Sequence, residues 1–329
     1  MDINQVLSAS FFIALVTAGI RLSIPVLVTV LGEIITESAG VMNLGLEGIM
    51  AVGGVVGFLT AFNLQGGSLH SSPQLAIYFA LIAGFVAGMG MGLIMAFLSV
   101  TLRADQTVCG VTIVLLGVSL SNYLYRQAMN TLAESLVSLT IYKIPYLHKI
   151  PILGPILFEQ NLVFYLVIVL VLVVHFFLFK TRRGLEIRSV GENPAAAATS
   201  GISVEKTRYL ATIVGSGLTG LGGAILTVVQ LGLFRENIIA GRGWVAVALV
   251  IFSRWRPKNA VIGALVFGLA DSLQYRIQAV TQVTYGKNTV PYEFLLMLPY
   301  LLTIGVLLFR NSSSDAPATL GEPYVQDAR

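Results

Sequence analysis

Nine long apolar stretches, parted by short polar or Gly/Pro-rich breaks, fix what this chain can become. They lie near residues 10–31, 41–62, 74–101, 107–127, 161–180, 208–233, 240–253, 260–280 and 292–309. A helix needs about 20 mostly apolar residues to cross the roughly 30 Å hydrocarbon core of a bilayer, and most of these stretches are that long. Strands of a closed sheet would instead alternate over about 10 residues. Charged residues make up 11% of the 329 positions, less than half the roughly 25% of a soluble domain, so a water-soluble enzyme is excluded. The chain is predicted to be all-α: a polytopic transmembrane helical bundle of about 8–10 spans, with one or more broken or re-entrant helices.

Orientation follows from the basic residues, which collect in cytoplasmic loops. Lys180, Arg182, Arg183, Arg188, Lys206 and Arg208 crowd the longest polar loop. Arg254, Arg256 and Lys258 form a second cluster, and Arg103, Arg310 and Arg329 fall on the same side. These 12 outnumber the seven on the other side: Arg126, Lys143, Lys149, Arg235, Arg242, Arg276 and Lys287. The split puts the N-terminus outside and the C-terminus inside, with Gly32 to Gly40 as an inner loop despite its two glutamates. Met1 to Gln5 carries no basic n-region, and the apolar stretch behind it outruns a signal sequence, so an uncleaved first span is expected. Residues 1–310 therefore read as one membrane domain with a long inner loop at about 181–207. Residues 311–329, containing Ser, Asp and Pro, read as a disordered cytoplasmic tail.

Polar groups at membrane depth are costly and are the first functional candidates. In the stretch Ser38 to Gly54, Asn43 and Glu47 stand four apart, which on a helix is one face. Gly40, Gly45 and Gly48 around them allow a break or a close neighbour. Irregular backbone at that depth survives only when buried in protein or lining a watery cavity. Asn43 and Glu47 thus either line a translocation path or tie neighbouring helices together, and Asp271 is a second membrane acid open to the same two readings. Arg21, near Pro25 in the first span, snorkels or pairs with an acid. Gly84, Gly88 and Gly92 repeat every four residues and Gly217, Gly220 and Gly223 every three, the mark of closely packed helices. A faint echo links the two halves: Gly40-Val-Met-Asn43 and Gly241-Arg-Gly-Trp244 each open an apolar helix from a glycine break, as in repeat-built transporters.

Enzymatic chemistry finds no footing. Gly286-Lys287 is not a phosphate loop, because Thr281 and Asn288 stand where a glycine and a hydroxyl residue are required. His70, His148 and His175 are far apart, no Gly-x-Ser-x-Gly elbow occurs, and Cys109 is the single cysteine. No metal set, serine nucleophile or internal disulfide follows. The net charge of +4 comes with no Lys/Arg run interleaved with aromatics, which sets nucleic acid aside.

The long inner loop is the most informative polar stretch. Asn193 suits a helix N-cap, Pro194 the first helical position, Ala195 to Ala198 the interior and Gly201 the end. Such a short, smooth-sided helix can sit in a partner's cleft and transmit a push, or simply rest on the membrane surface.

Four stretches carry a resemblance: Glu37 to Gly48, Ile144 to Gln160, Gly191 to Ile202, and Gly241 to Ala248 with Phe252 to Pro257. Together they make the chain similar to the permease subunits of ATP-binding-cassette importers for ribose-type sugars, branched-chain amino acids and nucleosides, above all the nucleoside and simple-sugar branch. The resemblance implies a multi-pass subunit of the bacterial inner membrane, not itself an enzyme, that passes a nucleoside or simple sugar inward. A second permease, a separate ATP-binding subunit holding ATP and magnesium, and an extracytoplasmic binding protein are the implied partners. The cytoplasmic coupling helix would fall on Glu192, Asn193, Pro194, Ala195, Ala196 and Gly201. The Glu-Ala-Ala-x-x-x-Gly pattern of older importers is not met, since Ala195 stands where the glutamate should be. The outer loop Tyr142 to Gln160 would face the binding protein, with Lys143, Lys149, Arg235 and Arg242 as candidates for docking it. Asn43 and Glu47, then Asp271, are the path candidates. The alternative is a proton-coupled secondary transporter of a small polar solute, driven through Glu47 or Asp271.

Overall fold

A computed structural model describes residues 9–70, 72–128, 135–285 and 315–325, together with residues 297, 301, 304 and 305. The chain forms α1 (Ala9–Ser38), α2 (Leu46–Gly66), α3 (Pro73–Ala96, widening into a π-helical turn over Phe97–Thr101) and α4 (Gln106–Ala128). A small hairpin of β1 (Ile141–Lys143) and β2 (Glu159–Asn161), with Tyr142 opposite Gln160, leads into α5 (Leu162–Lys180). Next come the short α6 (Arg182–Glu192) and α7 (Pro194–Thr199), then α8 (Val204–Ala224, with a π-helical end Ile225–Leu231), α9 (Arg242–Ser253) and α10 (Pro257–Tyr285). Among the described residues seven helices are long and apolar enough to cross a membrane, and α9 is a shorter apolar helix. The expected span at 292–309 lies outside the described residues, apart from four isolated positions.

The bundle is organised around α8 and α2, the most buried of the spans. Glycine lets their backbones touch. A Cβ on Gly53 would stand 2.3 Å from the carbonyl oxygen of Gly220, and one on Gly220 would stand 2.5 Å from that of Gly84. The two glycine series in the sequence are therefore the two sides of one seam, where α3 and α2 both lie against α8 without side chains between them. α5 is the opposite case. Its Leu166, Val169, Leu172, Val173 and Phe176 are exposed, which suits a face turned to lipid.

Two expectations need correction here. Gly32 to Gly40 is not a loop: α1 continues to Ser38 and buries Glu33 and Glu37. The two acids, read as loop markers, are held inside by partners. Glu33 accepts from the Asn43 amide at 3.1 Å, and Glu37 accepts from the Trp255 indole at 2.5 Å. Residues 311–329 are not uniformly disordered either, because residues 315–325 lie across the basic end of the bundle. The Thr319 amide and hydroxyl donate to the Gly191 carbonyl at 3.0 and 2.8 Å, and the Gly321 amide donates to that of Gly40 at 3.2 Å. The Arg208 guanidinium donates to the Glu322 carbonyl at 2.9 Å, and Leu320 packs on the main core. Low overall hydrophobicity hid this, because the segment is held mostly by backbone hydrogen bonds.

The seam gives a sharp test. Gly220→Ala forces backbones apart and is expected to cost about 1–3 kcal/mol of stability, the usual range for overpacking. Gly90→Ala, in α3 on the other side of the seam but with open space around the added methyl, is expected to leave the thermal midpoint of the detergent-purified chain unchanged or raised.

Candidate translocation site

Both glycine breaks noticed in the sequence interrupt helices, and the structure brings them together. After α1 ends, Gly40 takes a left-handed φ of +82° and the chain turns back into the bundle. The backbone of the break is satisfied by side chains: the Met42 amide donates to Gln106 at 2.7 Å, and the Asn43 amide to Glu33. The Asn43 side-chain oxygen accepts from the Gly45 amide at 3.0 Å, and its amide group reaches Ser216 at 3.4 Å. Asn43 is fully buried. It therefore precedes α2 rather than sharing a helix face with Glu47, a correction that follows from the glycine ending α1 and the local Asn43–Gly45 turn.

The second break is at Gly241, with φ +83°. α9 has only 12 residues, about 18 Å at 1.5 Å per residue. It runs toward Trp255, beside Glu37, so its N-terminus opens well within the roughly 30 Å apolar layer. That N-terminus is where Glu47 goes. One carboxyl oxygen accepts from the Gly241 amide and the other from the Gly243 amide, both at 2.7 Å. A carboxyl at a helix N-terminus meets unpaired N–H groups and the positive end of the helix dipole. Gly243 must be glycine for this approach, since a Cβ there would stand 2.4 Å from the Glu47 backbone nitrogen.

Arg242, between the two amides, forms a buried ion pair with Asp271 at 2.8 Å. Its side chain is 9% exposed, so it is not available to dock another protein from the outer surface. Its place at a helix start inside the bundle, rather than in a loop, accounts for the difference. Asn43, Glu47 and Asp271 thus sit in one polar region joining α1, α2, α8, α9 and α10. As they stand, each braces a broken helix. Trp244, next to Gly243, is 44% exposed and offers the open surface of this junction.

At the outer end, Lys143 pairs with Glu159 at 3.3 Å, while Lys149 and Arg235 are exposed. Arg21 donates to the Gln160 side chain at 2.8 Å and the Glu159 carbonyl at 3.1 Å, which sets its charge beside the Glu159 carboxylate. Arg126 grips both carboxyl oxygens of Glu236 at 2.6 and 2.7 Å, which holds the Glu236 carboxyl below its ordinary range. This exposed clasp ties the end of α4 to the loop before α9.

At the inner end, Thr181 caps α6 through the Gly184 amide, and Asn193 caps α7 through the Ala196 amide at 3.0 Å, with Pro194 opening the helix. Gly201 adopts φ +85° just beyond it. Glu192, Asn193, Ala195 and Ala196 are exposed, while Ala197 packs with Val190 and Val204. The corner is anchored on one side and bare on the other. The sequence missed Glu33, Glu37, Gln106 and Trp255 as members of this polar system, although glutamates inside an otherwise apolar run were the available signal. Among the described residues no group of three or more His, Cys, Asp or Glu side chains could hold a metal.

A polytopic bundle with two helices broken within its interior and a capped helical corner at its basic end is the build of a membrane permease. The comparisons make that specific. The profile of the family described as branched-chain amino acid transport system / permease component matches residues 15–307. The chain is 36% identical to the guanosine ABC transporter permease protein NupQ of Bacillus subtilis, covering all of both chains. It is also 36% identical to the nucleoside ABC transporter permease protein NupC of Lactococcus lactis, over 92% of this chain and 94% of that one. It is 35% identical to the putative glucose ABC transporter permease protein TsgC13 of Haloferax volcanii, over 91% of this chain and 92% of that one, whereas the Lactococcus lactis nucleoside permease NupB is 24% identical over 75% and 69%. No solved structure matches the chain at a significant level. The chain belongs to this permease family and is the membrane-spanning subunit of an ABC importer, a multi-pass protein of the bacterial inner membrane. It is not itself an enzyme: membership implies a partner that hydrolyses ATP and a partner that binds substrate.

The Arg242–Asp271 pair yields a stability test. Removing one member strands a buried charge, at about 3–5 kcal/mol, whereas replacing both with apolar residues of similar volume is often neutral. Arg242→Met alone is expected to lower the thermal midpoint sharply, and Arg242→Met with Asp271→Leu to restore most of it.

Proposed function

We propose that this chain passes a nucleoside inward, guanosine-like purine nucleosides foremost, through a path beside the Glu47–α9 junction. The single observation that carries the substrate class is end-to-end likeness at 36% to a guanosine permease, with equal likeness to a second nucleoside permease beside 35% to a putative glucose permease. The chemistry agrees. A neutral, hydroxyl-rich solute needs hydrogen-bonding groups in an otherwise apolar bundle, and Asn43, Glu47 and Asp271 are grouped there. On this reading the substrate engages them when the broken helices shift, borrowing bonds that now close the gap.

The drive comes from a separate subunit that binds ATP and magnesium. Glu192, Asn193, Pro194, Ala195, Ala196 and Gly201 form the corner that the ATPase grips. Gly191, at the end of α6, lies directly under the α1–α2 break: a Cβ there would stand 2.3 Å from the Ser38 carbonyl oxygen. A displacement of the corner therefore reaches the break without an intermediate side chain. Lys143, Lys149 and Arg235 are the outer candidates for docking the binding protein. One Lactococcus lactis strain holds two nucleoside permeases of unequal likeness to this chain, which supports pairing with a different permease rather than with a second copy. The proton-coupled alternative loses its carriers, because Glu47 is engaged by two amides and Asp271 by Arg242.

Labelled guanosine uptake in cells lacking other nucleoside importers tests the reading. Expression of this chain with its partners is expected to restore saturable uptake that excess adenosine or inosine suppresses and excess glucose does not. Ala195→Asp with Ala196→Asp buries charge under the ATPase and is expected to reduce uptake on the order of tenfold or more, with the folded chain still present in membranes. Uptake suppressed only by glucose would transfer the assignment to sugar.

A further inference from the structure

A polar cavity of about 250 Å³ opens at the inner end of the bundle, between the end of α5, α6, the α9–α10 turn and residues 315–317. Three guanidiniums line it, those of Arg188, Arg254 and Arg256, against two carboxyls, Glu192 and Asp315. The preference for basic residues on the cytoplasmic side accounts for arginines in these loops. It does not account for their convergence on one hollow, nor for how they are held.

Each arginine is positioned. Arg188 donates from Nε to the Leu178 carbonyl at 3.0 Å, and its guanidinium lies 4.9 Å from the centre of the Phe179 ring. Arg254 and Trp255 are consecutive non-glycine residues, both at φ +54°, a strained conformation that persists only where the surroundings enforce it. The enforcing contact is the Trp255 indole bonded to the buried Glu37 carboxyl. This turn places the Arg254 side chain in the cavity, with its Nε buried and without a hydrogen-bond partner among the described residues. The carboxyl that faces these arginines satisfies them poorly: one oxygen of Asp315 stands 3.8 Å from Arg254 and 4.0 Å from Arg256. Geometry suited to short, charge-assisted bonds is present, and the anion that would complete it is not Asp315.

We propose that this cavity binds the phosphodiester headgroup of an anionic phospholipid from the inner leaflet. The cavity opens where α5 ends in Phe179 and Lys180, and the exposed aliphatic face of α5 leads up from it along Leu172 and Val169. A headgroup held by the arginines would thus have its acyl chains on a ready apolar face. Basic pockets between membrane helices at the cytoplasmic side recognise headgroups of this kind. A free phosphate has the same charge chemistry but makes no use of the α5 face.

Native mass spectrometry of the full-length, detergent-purified chain tests this with phosphatidylglycerol, phosphatidylcholine and inorganic phosphate as probes. Phosphatidylglycerol is expected to be retained about fivefold or more over phosphatidylcholine, the factor that one surface cation supplies. Arg188→Gln, Arg254→Gln and Arg256→Gln together are expected to abolish that preference. If the triple variant does not fold, Arg256→Gln alone, at a side chain 63% exposed, is expected to lower it several-fold. Equal retention of the two lipids, or inorganic phosphate displacing phosphatidylglycerol at millimolar concentration, would overturn the proposal. So would a folded triple variant that keeps its lipid but no longer associates with the ATPase, since the arginines would then serve the protein partner.

Discussion

The Glu47 carboxyl, shared between the amides of Gly241 and Gly243, is the contact on which the rest of this bundle depends. Breaking a helix inside an apolar layer frees backbone groups that water cannot reach, and each stranded group costs about 1–3 kcal/mol. Here one side chain from the first turn of α2 closes the open end of α9 with two bonds of 2.7 Å. The α1–α2 break is served in the same way by Glu33 and Gln106. The two interruptions exist because side chains from the other helices take over the missing ladder bonds.

That solution also explains the economy of charge. Arg242 and Asp271 neutralise each other beside the same helix start, and Glu37 is bound to an indole rather than left facing lipid. The polar groups gathered at this junction give the bundle a place that can rearrange while the glycine seam along α8 stays rigid. A seam without side chains has no rotamers to repack, so the helices it joins tend to move together. The junction of α2 and α9 is held by directional bonds, which can be exchanged one for one with the hydroxyls and ring nitrogens of a solute.

Much of this was legible in the residues. Glycines at spacings of four and three announced helix contact, and Asn193-Pro194 with Gly201 announced a capped helix, because both signals are local and depend on few atoms. The paired breaks at Gly40 and Gly241 were visible as an echo. That they meet was not, since the bond partners lie almost 200 residues apart and no local rule relates them. Arg242 looked like a loop cation because it follows a glycine and precedes an apolar run. Only packing shows that the run is half a span and that Asp271 stands opposite. Glu33 and Glu37 were hidden for the converse reason: acids suggest a loop until a buried donor is found for each. The segment 315–325 lies in a mostly polar terminal stretch, and its place is set largely by main-chain bonds that composition does not report.

The central claim is that this chain is a conduit whose braced breaks are moved by an ATPase outside it. Proteoliposomes containing the complete complex and binding protein, loaded with labelled guanosine on the binding-protein side, test it most directly. Accumulation that follows ATP hydrolysis mole for mole within a small fixed ratio, and ignores an imposed proton gradient, is the expected result. Accumulation driven by the proton gradient with no nucleotide present would contradict the account.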